Sequence, residues 1–279
     1  MQEELSILIQ AQYPLIYLVT SEEERAEQAI AEIAQASKPQ RRVFLWTVTH
    51  GIVEYGQPRN VTQHNTVSPE AAVEWSTRQR DPAIFVFKDL HPFVDSPAVT
   101  RWLRDAIASF RGSQRTILLM SPVQQIPIEL EKEVAVLDFA MPDMAELNQV
   151  LSQQLDLTRN RRITTETREK LLKAALGLTR DEAEKVYRKA QVTTGRLTEE
   201  EVGIVLSEKK QLIRRNGILE YIEEDETIQS VGGLEELKRW LTQRSNAFTE
   251  RAREYGLPQP KGMLILGVPG CGKSLIAKT

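Results

Sequence analysis

The sequence predicts an α/β protein: a parallel-sheet module with a helical lid, followed by the opening of a second α/β module. Three observations lead there. From residue 1 to about 140, short apolar runs alternate with helical patterns, as in a parallel sheet covered on both faces. After Met141-Pro142 the strand-like runs cease and amphipathic patterns continue. Near the end, the apolar run Met263–Leu266 enters a glycine-rich turn, Gly267-Val-Pro-Gly-Cys-Gly-Lys273-Ser274, followed by the start of a helix at Leu275.

The elements follow in order. Leu15–Val19 reads as a buried strand, and Ser21-Glu-Glu-Glu24 as a capping box opening a helix to about Ser37. Val43–Val48 is a second strand, and residues 51–67 read as a loop. Ser68-Pro69 starts a short helix with proline at its first position. Ala83–Phe87 is a third strand; a helix from about Ser96 to Arg111 carries Val99, Leu103 and Ile107 on one face. Thr116–Met120 and Val134–Asp138 are the fourth and fifth strands. Residues 143–157 form an amphipathic helix, and Thr179–Glu182 and Thr198–Glu201 are two further capping boxes. The expected domains are residues 1–142, an α/β domain; 143–218, helical; 219–227, an acidic linker; and 228–279, the N-terminal part of the second module.

The chain of 279 residues is long enough for a sizeable core, with 41% hydrophobic and 27% charged residues. A net charge of −3 gives no global attraction to nucleic acid or acidic membranes. No apolar run is long enough to span a bilayer, and no signal or transit sequence opens the chain. The single cysteine, Cys271, cannot staple the fold or build a thiolate metal site, which fits a reducing compartment. Its position in a crowded turn suits a small residue. His50, His64 and His91 lack metal-ligand spacing. The basic groups at 159–162, 209–210 and 214–215 read as a solvated surface.

Gly267–Ser274 fits G-x-x-x-x-G-K-[ST] between a strand and a helix. Glycines let successive backbone N–H groups turn inward and cradle phosphate oxygens. The expected nucleotide-binding residues are Gly267, Val268, Pro269, Gly270, Cys271, Gly272, Lys273, Ser274 and Leu275. Lys273 would reach the β/γ-phosphates in a catalytic role, and the Ser274 hydroxyl would ligate Mg²⁺, so the expected cofactors are ATP and Mg²⁺. The chain stops five residues after Ser274. The acidic Mg²⁺ strand and the water-activating residue are therefore expected beyond Thr279, and this chain alone is expected to be inactive.

With Thr227-Ile-Gln-Ser-Val-Gly-Gly-Leu-Glu-Glu-Leu-Lys238 ahead of Lys261–Ser274, the chain resembles the AAA ATPase family. The likeness is specific over about the last fifty residues, and by it Val231 and Gly232 would contact adenine. The family often has an acidic residue where this chain has Ser230. The first module resembles a degenerate copy of the same fold: Thr116–Ser121 is similar to the sensor strand, and 143–208 to the lid. A crippled module ahead of an intact one resembles the AAA proteins of cyanobacteria and algal plastids, a conserved chloroplast reading frame. That resemblance implies a cytoplasmic or stromal homo-oligomer, a hexamer, with each site completed by a neighbour's arginine and acting on a protein substrate or partner.

Degeneracy is also legible from the residues. Between the first strand and its helix stands Val19-Thr-Ser21, without glycine, followed by Glu22, Glu23 and Glu24, which would repel a triphosphate. Lys88-Asp89 stands where an acidic pair would hold Mg²⁺. The expected function is that of a ring-forming ATPase that remodels proteins, with residues 1–215 a nucleotide-free platform. The alternative is a nucleotide-sensing scaffold that binds ATP without sustained mechanical turnover.

Overall fold

The computed structural model describes residues 2–58, 65–156, 163–195, 197–215 and 232–245, with 247, 255–256, 262–268, 273 and 276. They fall in two compact units, Met1–Leu206 and Ser207–Thr279. In the first, α1 (Gln2–Gln10), β1 (Leu15–Val19), α2 (Glu23–Ala36), β2 (Arg42–Thr47) and β3 (Gly51–Glu54) come first. They are followed by α3 (Pro69–Arg78), β4 (Ala83–Lys88), α4 (Pro97–Phe110), β5 (Arg115–Ser121) and β6 (Ala135–Asp138). Helices α5 (Met144–Asp156), α6 (Thr165–Ala175), α7 (Arg180–Thr194) and α8 (Val202–Arg215) complete the helical part, with α8 crossing the boundary between the units.

The six strands lie in the order β3-β2-β4-β5-β1-β6, parallel except for the β2–β3 pair. The central strands are buried on both faces, so their sequences are continuous apolar runs. Alternate residues feed two cores. Leu15, Tyr17, Phe85, Phe87, Ile117 and Leu119 pack beneath α3 and α4 with Phe110. Ile16, Leu18, Ile84, Val86, Leu118 and Met120 pack beneath α1 and α2. On the first face Phe44 stacks on Phe85 at 5.6 Å, and Phe85 meets Phe110 at 5.7 Å. Offset and tilted pairs of this kind add to the area they bury.

In the first unit three expectations need correction. Residues 51–54 are not loop but β3, an edge strand too short for its alternation to stand out; Ile52 is buried and Gly51 takes φ 67° to turn the hairpin. Ser21 is not the cap of α2: Glu22 occupies that position without a side-chain cap bond, while Thr20 Oγ1 accepts the Glu22 N–H at 2.9 Å. At Thr198 the carboxylate of Glu201 accepts both the backbone N–H and the hydroxyl, and α8 begins only at Val202. The other two caps match. Ser68 accepts from Ala71 N at the start of α3, and Thr179 with Glu182 forms a complete capping box on α7. Helix α1, not anticipated, is fixed by Leu5 and Ile9 on one face.

In the second unit α9 (Glu235–Ser245) follows Gly233 as expected. Met263–Leu266 does not form the expected strand: residues 262–268 have no ladder, and Leu264 and Leu266 are exposed. A strand exists only through its neighbours, and none is paired with it among the described residues. The acidic linker 219–227 lies outside the described residues.

Phe85 sits where three ring contacts converge. Phe85→Ala is expected to lower unfolding free energy by about 3–5 kcal/mol in urea titration. Ile7→Ala, at an exposed position of α1, should change it by no more than about 0.5 kcal/mol.

Candidate functional site

The carboxyl edge of a parallel sheet collects the N-termini of its helices, and a helix N-terminus carries partial positive charge with unpaired N–H groups. After β1 that position belongs to α2. Its mouth carries Glu22 at the cap and Glu23 and Glu24 in the first turn. From the end of β4, Lys88 reaches across: its ammonium meets Glu23 Oε2 at 2.9 Å and contacts the Glu27 carboxylate. The Lys88 side chain is 11% exposed. Burial pulls its pKa down, but bonds to Glu27 and Glu23 outweigh that and hold it above the ordinary lysine range. Charge is therefore inverted along this edge, with carboxylates on the helix mouth and an ammonium on the strand. Asp89, next in line, has φ 49°, and its exposed carboxylate faces the His91 ring at 3.9 Å.

Beside the helix mouth stands Arg25, 11% exposed, bonded through Nη1 to Glu22 at 2.6 Å and through Nε and Nη2 to Glu146 at 2.8 and 2.9 Å. Burial lowers its pKa, and Glu146 and Glu22 more than compensate, raising it overall. A cleft of about 470 Å³ opens here, lined by Arg25 and Arg180 but also by Glu32, Asp143 and Glu146. Two guanidiniums against three carboxylates leave no positive excess for a triphosphate, and Arg25 is already paired. The described donors at this helix mouth and cleft do not fit a nucleotide phosphate.

The second unit carries the other candidates. Gly232 is exposed; Gly233 and Leu234 follow at φ 71° and 62°, before α9. Gly267 and Val268 are exposed, and Lys273 Nζ donates to their carbonyl oxygens at 2.8 and 2.7 Å. An ammonium beside exposed glycine backbone is chemistry compatible with a phosphate. Val231, Pro269, Gly270, Cys271, Gly272, Ser274 and Leu275 lie outside the described residues, as do 159–162. Among the described residues no His, Cys, Asp or Glu cluster could hold a metal, and no helix is long and apolar enough to cross a membrane. Sequence reasoning missed Arg25, Glu146 and Arg180. The signal available was the glutamate run at 22–24, which called for cationic partners without naming them.

Two family models match this chain: the N-terminal domain of SpoVK-like AAA ATPases over residues 1–139, and their second domain over 145–216. Together they cover well over half of it, and the chain belongs to the AAA ATPase family. It is similar to the ycf46 AAA domain-containing protein of Trieres chinensis, 33% identical over 276 residues, which are 99% of this chain and 55% of that protein. The ycf46 protein of Guillardia theta is 33% identical over 279 residues, 99% of this chain and 54% of that one. The chain thus spans about half the length of these relatives. An AAA ATPase forming ring-shaped complexes in Corynebacterium glutamicum strain R is 44% identical over 57 residues, 19% of this chain and 11% of that protein. Among solved structures, the HORMA:CdnC:Trip13 complex of E. coli MS115-1 contains a chain with TM-score 0.50 at 11% identity, covering 79% of this chain and 88% of that one. That likeness is one of fold.

Lys88→Met is expected to cost about 1–3 kcal/mol, because it strands Glu27 while the more exposed Glu23 can turn to water. The double variant Lys88→Met/Glu27→Leu should recover most of the loss. The folded-state pKa of Lys88 is raised, so its contribution is complete below the unfolded lysine pKa of about 10.4 and is lost as pH climbs through the higher folded value. Denaturation series from pH 8 to 12 should show the gap between wild type and Lys88→Met closing only at the alkaline end.

Proposed function

We propose that this chain is part of an ATP-driven, ring-forming AAA machine that remodels proteins, with one nucleotide site at Gly267–Ser274 and a first module that takes no nucleotide. The observation that carries this reading is the charge contrast between the two loops. After β1 the helix mouth presents Glu22, Glu23 and Glu24, and the strand opposite presents Lys88 in ion pairs. In the second unit Lys273 donates to the carbonyl oxygens of Gly267 and Val268, within a glycine-rich sequence that carries no acid.

In that second site Gly267 to Leu275 would hold the triphosphate, with Lys273 on the β/γ-phosphates, Ser274 on Mg²⁺, and Val231 and Gly232 against adenine. Bound with Mg²⁺, ATP supplies a phosphoryl group whose transfer to water releases free energy for mechanical work. The chain's own part is to fix the phosphates through backbone N–H groups and the Lys273 charge, which stabilises the developing negative charge. Residues 1–142 and 143–218 then form a platform for assembly or partner recognition, joined by 219–227 to the ATPase module from 228 onward. The ring-shaped complexes named for the Corynebacterium relative support oligomerisation. The likeness to the ycf46 proteins supports a cytoplasmic or stromal location.

In the full-length protein, Lys273→Ala is expected to weaken binding of a fluorescent ATP analogue by about 10- to 100-fold, the effect of losing a charged hydrogen bond. Lys88→Met should leave that affinity unchanged. Undiminished binding in Lys273→Ala would place the nucleotide elsewhere and contradict the reading.

A further inference from the structure

We propose that Glu22 is a built-in anion that latches the helical subdomain to the sheet, so that closure of the first module is set by the chain itself and not by a ligand. The argument starts at α7. Its capping box uses the Glu182 N–H, accepted by Thr179 Oγ1, and the Thr179 N–H, accepted by the Glu182 carboxylate. The Arg180 N–H, at the first helical position, has no partner within the helix. It donates instead to Glu22 Oε1 at 2.6 Å, from a residue 158 positions away. A helix N-terminus is a natural seat for an anion, and here a side chain of the same protein occupies it.

The second oxygen of Glu22 accepts Arg25 Nη1 at 2.6 Å. Through Arg25 the latch spreads to the segment joining sheet and helices. Nη1 also donates to Ala140 O at 2.8 Å, the guanidinium lies 4.6 Å from the Phe139 ring centroid, and its other edge holds Glu146 bidentately. Glu146 in turn accepts the Asp143 N–H at 3.0 Å, while Asp143 Oδ1 accepts Ala145 and Glu146 N–H at 2.8 Å each. One carboxylate–guanidinium pair therefore touches the starts of α2, α5 and α7 and the connection between sheet and helices. An exposed ion pair would be too weak for this role. Glu22 and Arg25 are 7% and 11% exposed, the bonds are charge-assisted, and one of the contacts is bidentate. Glu22 cannot stabilise its own helix through a cap bond, because it makes none. Its carboxylate is committed to Arg180 and Arg25.

The proposal is independent of nucleotide binding at Gly267–Ser274. It is tested by hydrogen–deuterium exchange on the full-length protein, read in peptides covering 139–146 and 181–194, with α4 as the internal control. Glu22→Ala is expected to speed exchange in both peptides by at least about 10-fold and to leave α4 unchanged. Arg180→Pro removes the donor without breaking the helix, because proline suits the first helical position and Thr179, at φ −66° and ψ 163°, is already extended. It should speed exchange in the same peptides. Arg180→Ala, which keeps the N–H, should match wild type. If Glu22→Ala also speeds α4, the fold has loosened generally and Arg180→Pro alone decides. Rates within about 2-fold of wild type in Arg180→Pro would overturn the proposal. So would ATP slowing exchange of these peptides in a Lys273→Ala background, since a ligand would then be setting the closure.

Discussion

A parallel sheet concentrates helix N-termini along one edge, and each brings unpaired N–H groups that need acceptors and a positive field that favours an anion. Everything distinctive about the first unit follows from how α2 meets that requirement. It uses its own carboxylates. Once Glu22, Glu23 and Glu27 stand at the start of the helix, cations must be brought to them, and Lys88 and Arg25 arrive from β4 and from α2 itself. The acids stabilise the helix end, and the cations are stabilised by the acids. The same position in a phosphate-holding loop would present glycine and free backbone N–H groups.

The first unit has a large core, with apolar residues of the buried strands alternating between two faces, and ion pairs of its own along this edge. In the second, Lys273 donates to the carbonyl oxygens of Gly267 and Val268, and Leu264 and Leu266 just before them are exposed. The proposed division between them rests on this charge contrast.

Much of the fold was legible in the sequence because burial on both faces writes a strand as an unbroken apolar run. Leu15–Val19, Ala83–Phe87 and Thr116–Met120 all emerge as central strands. Elements at the margin were harder to read. β3 has four residues and an edge position, and α1 signals itself only through Leu5 and Ile9. At the site, the glutamate run and the Lys88 substitution were visible as residue types, and their repulsion of phosphate followed directly. Their partners were not visible. Glu23 and Lys88 are 65 positions apart, and Glu22 is answered by the backbone N–H of Arg180, a donor that almost every residue possesses and that no sequence pattern marks.

The most direct measurement is the number of ATP molecules bound per chain at saturation, determined by equilibrium dialysis of the full-length protein with Mg²⁺. A carboxylate-lined mouth in the first module and a phosphate-holding loop in the second predict one. A value of two, with the additional nucleotide protecting residues around Glu22 and Lys88, would contradict the account.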